Sequence, residues 1–457
     1  MNRISRRKFL LQSSAAAAIA SSPGLAYSQM VGSTAPFDDY RALVCIFLHG
    51  GNDSFNMLVP NTTAEYNAYQ TSRQNLAILR EDLLPINPVS LTPGSEAFGL
   101  HPSMTSMQNL FESGNAAFVA NLGPLVEPTT KLEYQAQSVV LPSQLFSHND
   151  QQSQWHSLKG AGTSDTGWAG RVADLIDEEV VGQKMATNAS TDGTSLFQSA
   201  ETTIAYVMGQ NGPLQFDGFS NDPASILFDQ KQAFQQILDA QYGSIYERGF
   251  ASIQSRAVAA ADAVSTAIVN AENSGIITST FPDSQLGRQL STVAKLIAGR
   301  TELEMQRQIF FVGIGGFDSH DDQNQNQPNL LGGVSEAITA FYNATIDIGV
   351  AGSVTAFTQS DFGRTLTSNG DGTDHAWAGN QLVVGGAVNG RDIYGDYPSL
   401  EIGGPEDVGG GRIIPSTSAD QYAATLAKWF GIPDTQLDIV APNLANFAQR
   451  DLGFMIA

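Results

Sequence analysis

The run Ala42-Leu43-Val44-Cys45-Ile46-Phe47-Leu48 carries no polar side chain and stops at His49-Gly50-Gly51-Asn52-Asp53. A strand with one face in water alternates apolar and polar residues, so an unbroken run needs apolar cover on both faces. Four further β-rich runs, Ala116–Ala120, Gln308–Ile314, Ser353–Phe357 and Gln381–Val384, also end in polar, glycine-bearing loops. Helical spacing fills Pro223 to about Asn270, Ser284–Gln306 and Leu330–Ile348. Doubly covered strands alternating with helices predict an α/β fold, with a mostly parallel central sheet and helices on both faces. Ligands of such sheets bind outside the carboxyl ends of the strands, which directs attention to the loops that follow them.

The N-terminus is of a different kind. Ser5-Arg6-Arg7-Lys8-Phe9-Leu10 sets paired arginines ahead of a modestly apolar stretch to Ala20, and Ala26-Tyr27-Ser28 offers small residues for cleavage. This is the pattern of a twin-arginine export signal over residues 1–28, read by the twin-arginine translocase. The stretch is too short and too interrupted to span a bilayer, and no later segment is long and apolar enough to do so. The expectation is a periplasmic or secreted protein. Residues 29–457 are expected to form a single domain with no clean linker. The polar segment 186–203 reads as an exposed loop or insertion, residues 223–306 as a helical stretch, and Asp321–Pro328 as a polar connector.

Formal charge is −22, and removal of the leader takes away four bases and no acid. A surface this acidic repels nucleic acid and anionic lipid without excluding one small anion held in a local pocket. The single cysteine, Cys45, lies within an apolar run, so no intrachain disulfide is available.

The six histidines are scarce enough for their positions to matter. Asp53 follows the first run, Asp318 and His320 follow Ile314, Asp361 follows the fourth run, and Asp374-His375 lie just beyond. Asp and His are ligands for zinc and similar divalent ions, which collect them from separate loops. Residues i and i+2 of an extended segment point the same way, so Asp318 and His320 suit one ion. Singly, each is ordinary: a loop Asp forms turns, and a lone His is usually packed. Their recurrence at successive strand ends favours a site for one or two ions. Ser147-His148-Asn149-Asp150 adds a serine that is either a nucleophile or a helix cap. No Gly-x-Ser-x-Gly elbow, Walker A loop or cysteine cluster is present, which removes the common serine hydrolases, P-loop enzymes and iron–sulfur proteins.

Taken in order, Phe47–Asp53, His101-Pro102, Ser147-His148, Phe317–Gln323, Ser360–Thr365 and Gly372–His375 resemble the motifs of an exported bacterial family. That family is catalogued as domain of unknown function 1501 and is similar to the alkaline phosphatase and sulfatase superfamily. The resemblance implies an alkaline-phosphatase-like three-layer sandwich with a metal-assisted nucleophile at the strand ends. It places metal ligands at Asp53, Asp318, His320, Asp361 and His375, and Ser147 near the nucleophile's place in chain order. The chain departs from the superfamily in having Phe362 where a His usually follows the strand-end Asp. It also spaces Asp318 and His320 by two rather than four. Arg364 then either supplies a positive charge for an anionic oxygen or pairs with Asp361.

These readings predict an exported, metal-dependent hydrolase of phosphate or sulfate esters. Ser147 would attack a small anionic substrate, and His148 or His156 would serve as proton donor. The alternative is a non-catalytic exported binding or assembly protein that keeps the fold without the chemistry.

Overall fold

The computed structural model describes residues 37–456 except 92–96, 181, 214–218 and 221. The leader expected over residues 1–28 lies outside the described residues. Residues Phe37–Ala457 cluster into one compact unit.

Fourteen strands are described. They are β1 (Arg41–Leu48), β2 (Leu58–Pro60), β3 (Leu84–Ile86), β4 (Phe98–Leu100), β5 (Ala116–Gly123), β6 (Asn188–Ser190), β7 (Tyr206–Val207), β8 (Arg307–Ile314), β9 (Val354–Ser360), β10 (Arg364–Ser368), β11 (Thr373–His375), β12 (Gly379–Gly385), β13 (Ile393–Tyr394) and β14 (Thr417–Ser418). Nine form the central sheet in the order β13-β5-β12-β9-β1-β8-β6-β7, with β14 also on β5. β1 pairs parallel with β8 and β9, and β6 pairs parallel with β8 and β7. Only β12 runs against its neighbours β5 and β9. The mostly parallel sheet expected from the apolar runs is what forms.

β1 shows why the run from Ala42 to Leu48 has no polar residue. Ala42, Val44, Ile46 and Leu48 point into one core, against the helices Thr105–Glu112, Gln285–Ala298 and Gln323–Asp347. Leu43, Cys45 and Phe47 point into the other, with Trp168 and Val172 of the helix Trp168–Ile176 and Tyr422 and Leu426 of the helix Ala419–Phe430. Each fully buried side chain contributes roughly 1.5–3 kcal/mol, and a one-residue slip would exchange the two faces. The result is three layers.

Register sets the position of the loops. Leu48 lies opposite both Ile314 and Ser360. The three central strands therefore end flush, which brings the segments starting at His49, Gly315 and Asp361 together at one edge. A hairpin of β10 and β11 pairs Arg364 with His375 beside them.

Two expected loops are corrected. The segment 186–203 is not an exposed insertion, because it contains β6, whose residues are buried, and the buried Phe197 and Gln198. Its amide nitrogens bond inside: Asn188 donates to the Ala169 carbonyl, and Gln198 to those of Ala189 and Ile309. The run 321–328 is not a connector either. Helix Gln323–Asp347 begins within it, and Gln323 and Gln327, four apart on one face, are buried.

Candidate metal centre

The loop after β1 approaches the others through Gly50 and Gly51, at φ 114° and 89°. A Cβ on Gly50 would lie 2.3 Å from the Asp318 nitrogen, and one on Gly51 about 2.4 Å from the Phe362 ring. Only glycine takes this conformation at such contact distances.

Asp361 is fully buried at the end of β9. Its Oδ1 accepts the Gly50 N–H at 3.1 Å. Its Oδ2 meets His148 Nδ1 at 2.6 Å and the Gln152 amide at 2.9 Å. His148 and Gln152 are four residues apart on the helix His148–Ser157, so one helical face reaches one carboxylate oxygen. With Nδ1 held there, His148 turns Nε2 towards Asp318 Oδ2, 3.5 Å away. His375 is built in the same way, with Nδ1 donating to the Phe146 carbonyl at 2.8 Å. Its Nε2 lies 2.8 Å from His320 Nε2 and 3.5 Å from Asp318 Oδ1. His320 Nε2 is itself 3.2 Å from Asp318 Oδ1.

One ligand atom from each of His148, Asp318 and His375 falls within 4.8 Å of the others. Two imidazoles with Nδ1 engaged and Nε2 directed at a carboxylate are a donor set that could hold a divalent ion, with Asp361 and the Phe146 carbonyl orienting the rings. These residues fit such an ion, and His320 is near enough to join them. Burial lowers the pKa of His375, and the cations of Arg364, His148 and His320 add to this against its bond to Phe146. The neutral ring that a metal requires is thereby favoured. Burial opposes ionisation of Asp318, but Arg364, His148 and His320 outweigh it and hold the carboxyl below its ordinary range.

Arg364 is fully buried and fixes the three loops. Nε donates to the Gly51 carbonyl at 2.9 Å and Nη1 to that of Thr373 at 3.1 Å. Nη2 serves the carbonyls of Gly50 and Phe317 and the carboxylate of Asp318. It therefore pairs with Asp318 and not with Asp361, and its donors are already engaged. Phe362, which departs from the superfamily pattern, packs its ring against His148 and His375 at 4.8 and 4.6 Å.

The other expected site residues fall elsewhere. Asp53 is not brought into the group: its Oδ2 is taken by the buried Arg73 and by Gln323, and Gln327 donates to its carbonyl. Asp361 stands behind His148 as an orienting carboxylate. Ser147 occupies the N-cap position without a side-chain capping bond, and its hydroxyl donates to Asp150 Oδ2 at 2.6 Å. His156 is buried against Phe47 and Phe311, and desolvation takes its pKa to about 3, so it offers no proton near neutrality. Sequence reasoning missed Arg73, Gln152, Gln323 and the carbonyl of Phe146. It also missed Asp192, which meets His49 Nε2 at 2.9 Å. The one available cue was the Gln-Asn run at 323–327.

Fold and site together define an α/β sandwich with an Asp/His cluster at the carboxyl edge of its parallel strands. Over residues 40–436 the chain matches the family described as "Protein of unknown function (DUF1501)", and it belongs to that family. No curated protein matches it. Among solved structures it is similar to the lipoteichoic acid synthase LtaP from Listeria monocytogenes, at 8% identity, 86% of this chain, 72% of that one and a TM-score of 0.33. A structure of i-CgsB in complex with a neocarrahexaose gives 9%, 87%, 74% and 0.32. A Bacteroides thetaiotaomicron protein, described in connection with metabolism of multiple glycosaminoglycans, gives 10%, 87%, 74% and 0.32. Overlap at this level bears on neither the chemistry nor the residues of the site. Among the described residues no helix is long and apolar enough to cross a membrane.

Proposed function

We propose that the protein is an exported, divalent-metal-dependent hydrolase of phosphate or sulfate esters, with zinc or a similar ion held by His148, Asp318 and His375. The observation that carries this reading is the pair of histidines whose Nδ1 atoms are tied to Asp361 and Phe146, leaving both Nε2 atoms facing Asp318. An Asp318 carboxylate flanked by two imidazole Nε2 atoms is a donor set that suits a divalent ion. A bound ion supplies Lewis acidity and neutralises charge on an anionic ester.

The chain's own groups do the rest. Asp361 and the Phe146 carbonyl fix the tautomers of the two histidines, and Arg364 holds Asp318 through Oδ1 while Oδ2 faces His148. Arg364 is a positioning residue, since its donors are spent on protein groups. Ser147, between Phe146 and His148, is the nucleophile: its Oγ bonds to the phosphorus or sulfur as the ester oxygen leaves, and its proton passes to Asp150. Water then cleaves the Ser147 ester to release phosphate or sulfate and restore the hydroxyl. Export by the twin-arginine route belongs to the same proposal, because that pathway carries proteins already folded with their ion.

The test is release of nitrophenol from its phosphate and sulfate esters, with zinc, manganese or calcium added. Metal-stimulated turnover that falls on the order of a hundredfold or more in Ser147→Ala is expected. If metal-loaded protein releases nothing from either ester, the binding-protein reading replaces this one.

A further inference from the structure

An anionic ester beside the metal calls for a further positive charge, and Arg364 does not supply it because its donors are spent on the protein. A second arginine, Arg412, is held against the same centre.

Three contacts fix its place. Nε donates to the carbonyl of His375, a member of the cluster, at 3.2 Å. Nη1 donates to the Gly409 carbonyl, also at 3.2 Å. The guanidinium carbon stands 5.2 Å from the centre of the Phe146 ring, within range of a cation–π contact. Phe146 belongs to the site in its own right. Its carbonyl accepts the bond from His375 Nδ1, and Ser147 follows it in the chain. It does this at φ 73°, a backbone conformation that bulky residues rarely adopt. Arg412 therefore touches both the segment that carries the ligand His375 and the segment that carries the nucleophile Ser147.

These contacts leave much of the guanidinium over. Of its five N–H donors they use one on Nε and one on Nη1, and Nη2 makes no bond to the described residues. Its charge is also uncompensated. Arg364, Arg73 and Arg307 are paired with Asp318, Asp53 and Asp39. Among the described residues Arg412 has two carbonyls and a ring, and no carboxylate within ion-pairing distance. The chain has 45 acidic residues against 23 basic ones, so an arginine fixed only by neutral partners keeps its charge for something outside the protein. A planar guanidinium matches the oxygens of a tetrahedral anion. We infer that Arg412 binds the phosphate or sulfate group of the substrate, taking a non-bridging oxygen on Nη2 while the group lies between the metal centre and Ser147. This rests on the reading of that centre as an anionic-ester site, but it is measured by binding, without turnover.

The zinc-loaded protein would be titrated by calorimetry with inorganic phosphate and with sulfate, in the parent, Arg412→Gln and Arg412→Lys, with zinc content determined for each. Affinity for the anion is expected to fall at least about tenfold in Arg412→Gln at full zinc content, with part of the loss recovered in Arg412→Lys, which keeps the charge. No binding of either anion by the parent, or unchanged affinity in Arg412→Gln, would overturn the inference. So would loss of zinc from both variants, the mark of a structural support for His375. Ester hydrolysis by the parent together with unchanged anion affinity in Arg412→Gln would sink this inference alone. Arg412-dependent anion binding without hydrolysis would uphold it and sink the hydrolase reading.

Discussion

Arg364 shows how much of the site rests on a side chain bonded to the protein's own backbone. Its guanidinium bonds the backbones of Gly50, Gly51, Phe317 and Thr373 and the carboxylate of Asp318. Lysine carries the same charge on a point donor and cannot reproduce this planar fork. Arg364→Lys is therefore expected to cost at least about 2 kcal/mol in urea unfolding, through buried carbonyls left unpaired, and to weaken metal binding as well. A stability equal to that of the parent would show that these bonds are dispensable. The identities of the cluster members Asp318, His320 and His375 were legible in the sequence from their recurrence after strands. The roles of Asp361 and Arg364 were not. An Asp becomes an orienting group only through a contact such as that with His148, 213 residues away, and no local pattern encodes it.

At the scale of elements, the long apolar strands were the most legible because burial on both faces favours unbroken apolar runs. β6 was hidden: three residues, Asn188-Ala189-Ser190, carry too little pattern to read as a strand, and the Asn188 amide finds its acceptor in the distant Ala169 carbonyl. The start of the helix at Gln323 was hidden for a related reason, since its buried face is polar to serve Asp53, Ser319 and Thr373. Helix Ala419–Phe430 supplies a test of its own. Asp420, in its first turn, is buried, and desolvation raises its pKa to about 7 against the bonds from Asn443 and Ser418. A carboxyl whose folded pKa exceeds the ordinary 3.8 binds more protons when folded, so stability is lost as pH rises through that interval. Asp420→Asn removes this loss. Its urea midpoint relative to the parent should climb between about pH 4 and pH 7 and level off above. A difference that stays constant with pH would contradict the assignment.

For the whole molecule, the decisive feature is the flush ending of β1, β8 and β9, which turns residues scattered along the chain into one cluster. The strand runs and the rule for ligands at carboxyl ends indicated the edge. They did not separate ligands from their supporters, because that depends on packing between layers. Asp53 illustrates this: it emerges at the same edge, yet Arg73 and Gln323 claim its carboxylate. The central claim is that His148, Asp318 and His375 hold a divalent ion. Its most direct test is elemental analysis of the protein after loading with zinc and desalting. The prediction is about one equivalent per chain in the parent, falling to background in Asp318→Ala and His375→Ala. Failure of the parent to retain zinc or any similar divalent ion, or full retention in both cluster variants, would contradict it.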